Sequence, residues 1–167
     1  MKKIRGIFPT SSFCFAALFL FSCSNDDDSN PEMSTWEMQV EQVKLATADY
    51  QNFDAAESAG LIDVSGYVPN MGHHYLNPAL SDGIFELERP EIVLYVPDEN
   101  GQMEMVGVEY SIVPEDPDNP GNPPEGFDGN QDEWHFNEMV GQWQLHVWTV
   151  LENPDGIFAA QNPVIGD

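Results

Sequence analysis

Apolar and polar residues alternate most clearly in the second half of the chain. Over residues 103–113, Val106, Val108, Tyr110 and Ile112 fall on one side of an extended chain, and Met105, Gly107, Glu109 and Ser111 on the other. Ile92, Val93, Leu94, Tyr95 and Val96 precede them as a β-branched, apolar and aromatic run. The intervening Pro97-Asp98-Glu99-Asn100-Gly101 carries an Asn-Gly turn signal, so residues 91–113 are predicted to form a β-hairpin. Residues 143–151 are a third predicted strand, with Trp143, Leu145, Val147 and Thr149 facing one way and Gln144, His146, Trp148 and Val150 the other. Its near-continuous apolar character suits a central strand covered on both faces.

A helical period is found once. Trp36, Val40, Val43, Thr47, Tyr50 and Phe53 recur at helix spacing. Ser34 with Glu37 is a capping-box pair, and Gly60 supplies a stop, so one long helix is predicted over residues 34–59. Residues 61–70, with Gly66, Pro69 and Asn70, read as a connector, and Ser81-Asp82-Gly83 as a turn. The proline-rich, acidic residues 114–129 read as a long surface loop, followed by a short helix over 133–140 that carries His135. Asn153-Pro154-Asp155-Gly156 is a further turn, after which Ile157, Phe158 and Ala159 tuck back into the core. The expected fold is a single α+β domain over residues 34–167, an N-terminal helix packed on a mainly antiparallel sheet.

The start of the chain is different. Lys2, Lys3 and Arg5 precede the apolar residues 13–21, a run too short to span a bilayer. Leu20-Phe21-Ser22-Cys23 closes it. Residues 1–22 resemble a bacterial lipoprotein signal peptide, which implies lipidation of Cys23 and attachment to a membrane. Residues 23–33, with Asp26-Asp27-Asp28, read as a flexible tether. An acidic run behind the lipid cysteine also resembles a surface-export tag, implying the outer face of the outer membrane. Asn25 departs from an all-acidic tag and leaves the periplasmic face open.

Charge narrows the partners. The chain has 29 acidic and five basic residues, a net −24. Three of the basic ones lie in the leader, so a chain beginning at Cys23 would carry two against 29. Such a field repels nucleic acid and anionic lipid and attracts cations. Asp128-Gly129-Asn130-Gln131-Asp132 imitates the start of a calcium loop, but Glu133 stands where glycine is needed and Met139 where a bidentate glutamate is needed. Cys14 leaves with the leader and Cys23 takes the lipid, so disulfides, thiolate nucleophiles and zinc-thiolate sites are excluded.

What remains for chemistry is imidazole and carboxylate. His74, Glu109, His135 and His146 are the candidate set, suited to a divalent transition metal such as Zn, Cu, Fe, Ni or Mn. Tyr75 and Trp148 are candidates for lining a pocket, and His73 reads as a spare surface residue. The competing reading makes all these histidines structural and the domain a non-enzymatic binding or interaction module, its protein or small-molecule partner unspecified. No G-x-S-x-G or phosphate-binding glycine loop is present.

Three motifs stand together: Gly72-His73-His74-Tyr75-Leu76-Asn77-Pro78, Leu145-His146-Val147-Trp148, and Asn153-Pro154-Asp155-Gly156-Ile157-Phe158 with Asn162-Pro163. The combination resembles an uncharacterised family of exported bacterial proteins with the patterns G-x-H-Y-x-N-P, L-H-V-W and N-P-x-G-x-F. The resemblance implies a shared fold and a shared site that includes His74 and His146. Gln144 stands where that family tends to have glutamate.

Overall fold

The structure, a computed structural model, describes residues 33–166. The leader, Cys23 and most of the tether lie outside the described residues. Two helices, α1 (Thr35–Ala46) and α2 (Phe53–Ser58), precede six strands: β1 (Ile62–Val68), β2 (Gly72–Leu76), β3 (Ile92–Pro97), β4 (Met103–Ile112), β5 (His135–Asn137) and β6 (Gln142–Val147). The strands form one sheet in the order β1-β2-β3-β4-β6-β5, and every neighbouring pair is antiparallel. The fold is α+β, and the described residues belong to one compact unit.

The predicted long helix is broken in two places. Glu37 closes its start as expected, accepting the Ser34 N–H and O–H at 2.7 Å each. At Thr47 the hydroxyl turns back onto the Val43 carbonyl at 2.8 Å, and a 3-10 turn over Ala48–Gln51 follows. Asn52 is then extended, and its side chain caps α2 by accepting Asp54 N–H. Helix spacing of apolar residues survived the break, because both pieces feed the same core.

One face of the sheet carries that core. Tyr75, Val93, Val108, Tyr110, Leu145 and Val147 cluster with Val40 and Val43 of α1, Ala56 of α2, and Phe127 and Phe158 from loops. Phe158 does return to the core. The other face carries a smaller cluster of Ile92, Leu94, Val106 and Trp148.

The hairpin forms between β3 and β4, turning through Gly101 at φ +80°. Its alternation is not continuous. The register shifts between Leu94 and Tyr95, where Leu94 pairs with Gly107 but Tyr95 pairs with Met105. Val106 is the extra residue. This bulge moves Met105 to the helix side and Val106 to the opposite side, reversing the assignment that strict alternation gives them.

Three further expectations are corrected. Residues 61–70 are not a connector: they supply the edge strand β1. Residues 133–140 do not form a helix, since His135 lies in β5, paired with Gln144. The predicted strand over 143–151 ends at Val147, where Trp148 N–H leaves the ladder and donates to the Ile157 carbonyl at 2.9 Å. The loop ahead of β5 has neither helix nor strand over residues 113–134.

Candidate metal centre

Strand register decides which side chains meet. Ile92, Glu109 and His146 stand abreast on β3, β4 and β6. His74, Leu94 and Gly107 stand abreast on β2, β3 and β4 one step along. Directly paired residues share a face, so His74, Glu109 and His146 all project from the side opposite the helices. Gly107 helps to hold this spacing: a Cβ there would come within 2.6 Å of the Val147 carbonyl oxygen and 3.2 Å of Trp148 Cα. Its backbone φ is ordinary, so close approach of β6 to β4, not a special conformation, calls for glycine.

The three side chains converge. His74 Nε2 is 3.3 Å and His146 Nε2 is 3.5 Å from the same oxygen, Glu109 Oε2. One donor atom from each of the three lies within 4.8 Å of the others, so the group is able to hold a metal ion. An ion bound tetrahedrally at 2.0–2.1 Å separates neighbouring donors by about 3.3 Å, close to both spacings. The residues are deeply buried: Glu109 is 0%, His146 1% and His74 8% exposed.

The hydrogen-bond account of this site does not close with protein groups. Both carboxylate oxygens of Glu109 and both ring nitrogens of His146 are buried without a hydrogen-bond partner. Native interiors leave only a few such atoms per 100 residues, and each costs about 1–3 kcal/mol. Four on two touching residues mark a place built for something else.

The spacing is that of an ion pair, yet burial drives the groups toward neutrality. Burial pushes the Glu109 carboxyl up to about 8, with the Glu91 charge adding to it. Burial lowers His74 to about 4, and it lowers His146 well below the usual imidazole range, helped by charge on His74 and His135. Neutral imidazoles are the ligand form of histidine.

His135 does not join the three. Its ring stacks on His146 at 5.8 Å between centroids, with 7° between planes, and its Nδ1 is also buried without a partner. Trp148 stacks on His146 as well, at 5.8 Å and 16°, while its indole N–H donates to the Ala159 carbonyl at 2.7 Å. Tyr75 points to the opposite face and packs on Phe53 and Tyr95, so Tyr75 and Trp148 do not line a common pocket. His73 is not a spare residue: its Nδ1 lies 2.9 Å from Asp63 Oδ2.

Sequence reasoning missed Ser65. It sits on β1 in a stretch broken by Gly66, yet its Oγ lies 3.0 Å from His74 Nδ1. A lone serine beside a glycine carries no pattern that singles it out.

No family model, curated protein or solved structure matches the chain.

Proposed function

We propose that this domain binds a divalent transition metal through His74 Nε2, Glu109 and His146 Nε2. The observation that carries the reading is the convergence of His74, Glu109 and His146 from β2, β4 and β6, with every side-chain polar atom of Glu109 and His146 buried and unpartnered. Two imidazoles and one carboxylate form a donor set that suits Zn and Fe(II). Three protein ligands leave a coordination position open, and a bound ion would supply Lewis-acid activation of water or a small oxygen ligand there. His135 belongs to the surroundings of this site, stacked on one of its ligands.

The test is the metal content of the full chain purified without a histidine tag, beside a His74→Ala/His146→Ala double variant. The expected result is about one ion per chain in the first and none in the second. No uptake by the unaltered chain after reconstitution with Zn, Cu, Fe, Ni and Mn would sink the reading. The interaction-module alternative would then gain weight. Ile62, Val64 and Tyr67, all exposed on the edge strand β1, favour it.

We also propose that the protein is exported and anchored by lipid at Cys23 in the outer membrane, as a member of the exported family its motifs resemble. Support comes from the order of basic start, apolar run and Leu-Phe-Ser-Cys box. Among the described residues no helix is long and apolar enough to cross a membrane. Cys23→Ala should abolish the lipid adduct in mass spectra and release the protein from membranes; unchanged attachment would refute the anchor.

A further inference from the structure

We infer that Ser65 is a positioning residue for the metal centre: it fixes the tautomer and orientation of His74 so that Nε2 presents its lone pair to Glu109. The inference rests on the metal reading above.

A serine hydroxyl has a single hydrogen and two acceptor lone pairs. Ser65 Oγ has three close polar neighbours: the Gly66 carbonyl oxygen at 2.6 Å, the His74 backbone N–H at 3.0 Å and His74 Nδ1 at 3.0 Å. The carbonyl is only an acceptor, so the hydroxyl hydrogen must lie there; otherwise two oxygens would face each other at 2.6 Å with no proton between them. The backbone N–H is only a donor, and it takes one lone pair. The other lone pair is left for His74 Nδ1, which therefore carries the hydrogen. A neutral imidazole with its proton on Nδ1 has its lone pair on Nε2, the atom 3.3 Å from Glu109 Oε2.

The local chain is shaped to place this hydroxyl. β1 loses register against β2 between Asp63 and Tyr67, and Ser65 lies inside the bulge. Asp63 Oδ1 accepts the Ser65 and Gly66 N–H groups at 3.1 and 2.9 Å, and Gly66 takes φ +63°. The other oxygen of Asp63 meets His73, the neighbour of His74. An exposed edge strand thus reaches a buried ligand through one oxygen. Partners of this kind on the non-ligating nitrogen orient metal-binding histidines and raise their basicity.

The test uses the full chain and two variants, Ser65→Ala and the hydroxyl-retaining Ser65→Thr. The first readout is the imidazole nitrogen chemical shifts of His74 in chelator-treated protein. The unaltered chain and Ser65→Thr should show Nδ1–H alone, and Ser65→Ala should show a mixture or the Nε2–H form. The second readout is Zn²⁺ affinity, which should fall by about 10- to 100-fold in Ser65→Ala and recover in Ser65→Thr. Ser65→Ala with an unchanged tautomer and an affinity within twofold would overturn the inference. If the unaltered chain takes up no Zn²⁺, the metal reading falls, and the tautomer result alone then upholds or overturns the role of Ser65.

Discussion

His74 and Glu109 stand on strands that do not touch. β3 runs between β2 and β4, yet His74 Nε2 lies 3.3 Å from Glu109 Oε2. The two side chains reach across Leu94 and Ile92 and meet above an apolar strand, where the Glu109 carboxyl finds no hydrogen-bond partner. A pair so placed adds little to the stability of the metal-free fold. A buried carboxyl with two unpartnered oxygens is a cost that an ion would relieve.

Glu109→Gln should therefore separate stability from binding. The amide keeps the shape, carries no charge and offers an N–H to the lone pair on His74 Nε2. In chelator-treated protein at pH 8 the variant should be more stable than the unaltered chain by roughly 1–3 kcal/mol in urea titrations. The same change should abolish stoichiometric metal uptake. A variant both less stable and still metal-replete would show that Glu109 is a structural acid.

The pH dependence of the metal-free protein follows from four buried groups. Glu109 and Glu91 are raised by burial to about 8 and about 7, so the folded state keeps their protons after the unfolded chain has released them. Stability is lost as pH rises from about 4.5 through those folded values, at up to about 1.4 kcal/mol per pH unit per group. His74 is lowered to about 4 and His146 is lowered well below 6.5, so the unfolded chain binds their protons first, and stability is gained as pH rises toward 6.5. The two trends oppose each other between about 4.5 and 6.5. Above 6.5 only the carboxyls remain, and chelator-treated protein should lose stability from pH 6.5 to 8. Thermal midpoints across pH 5–9 check this. Glu91→Gln/Glu109→Gln should flatten the upper limb.

Metal uptake should release a proton. At pH 7 the Glu109 carboxyl is largely protonated, and an ion takes the carboxylate. Calorimetric titration of chelator-treated protein with Zn²⁺, in buffers of different ionisation enthalpy, should give about one proton released at pH 6, where a zinc-bound water stays protonated. No proton released at that pH would mean that Glu109 does not give up a proton to become a ligand.

How much of this was legible depended on whether a residue belonged to a regular strand. Alternation alone set Glu109 and His146 each apart from the more apolar face of its own strand, since β4 and β6 keep period two from Gly107 to Ser111 and from Gln142 to Val147, while the register that puts them abreast shows only in the fold. His74 was singled out by the glycine before it and the Asn-Pro after it. Val106 and Met105 were placed on the wrong faces because a bulge leaves no mark in composition. β1 was missed because an edge strand exposed on both faces has no apolar alternation, and Gly66 and Pro69 suggested a break. β5 has three residues, too few to show any period, and its His135 was assigned to a helix. Ser65 had no signal at all: its role exists only because the β1 bulge sets it against His74.

Gly107→Ala tests whether the spacing of β4 and β6 holds the site together. The added methyl would meet the Val147 carbonyl oxygen at 2.6 Å and Trp148 Cα at 3.2 Å, both backbone atoms that cannot rotate away. β6 must move off β4, and with it His146 moves from Glu109 and Trp148 from its stack on His146. Overpacking of this kind costs about 1–3 kcal/mol, which urea titration will register as an earlier midpoint. The more telling effect is on the ion. A ligand displaced by a fraction of an ångström binds more weakly even where the fold survives, so Zn²⁺ affinity should fall in protein that is still folded by circular dichroism. The control is Gly101→Ala, in the hairpin turn, where a Cβ meets nothing within 4 Å but the φ of +80° disfavours alanine. That variant should lose stability without losing affinity. If the two substitutions weaken Zn²⁺ binding equally, the fall reflects general destabilisation and not the distance between β4 and β6.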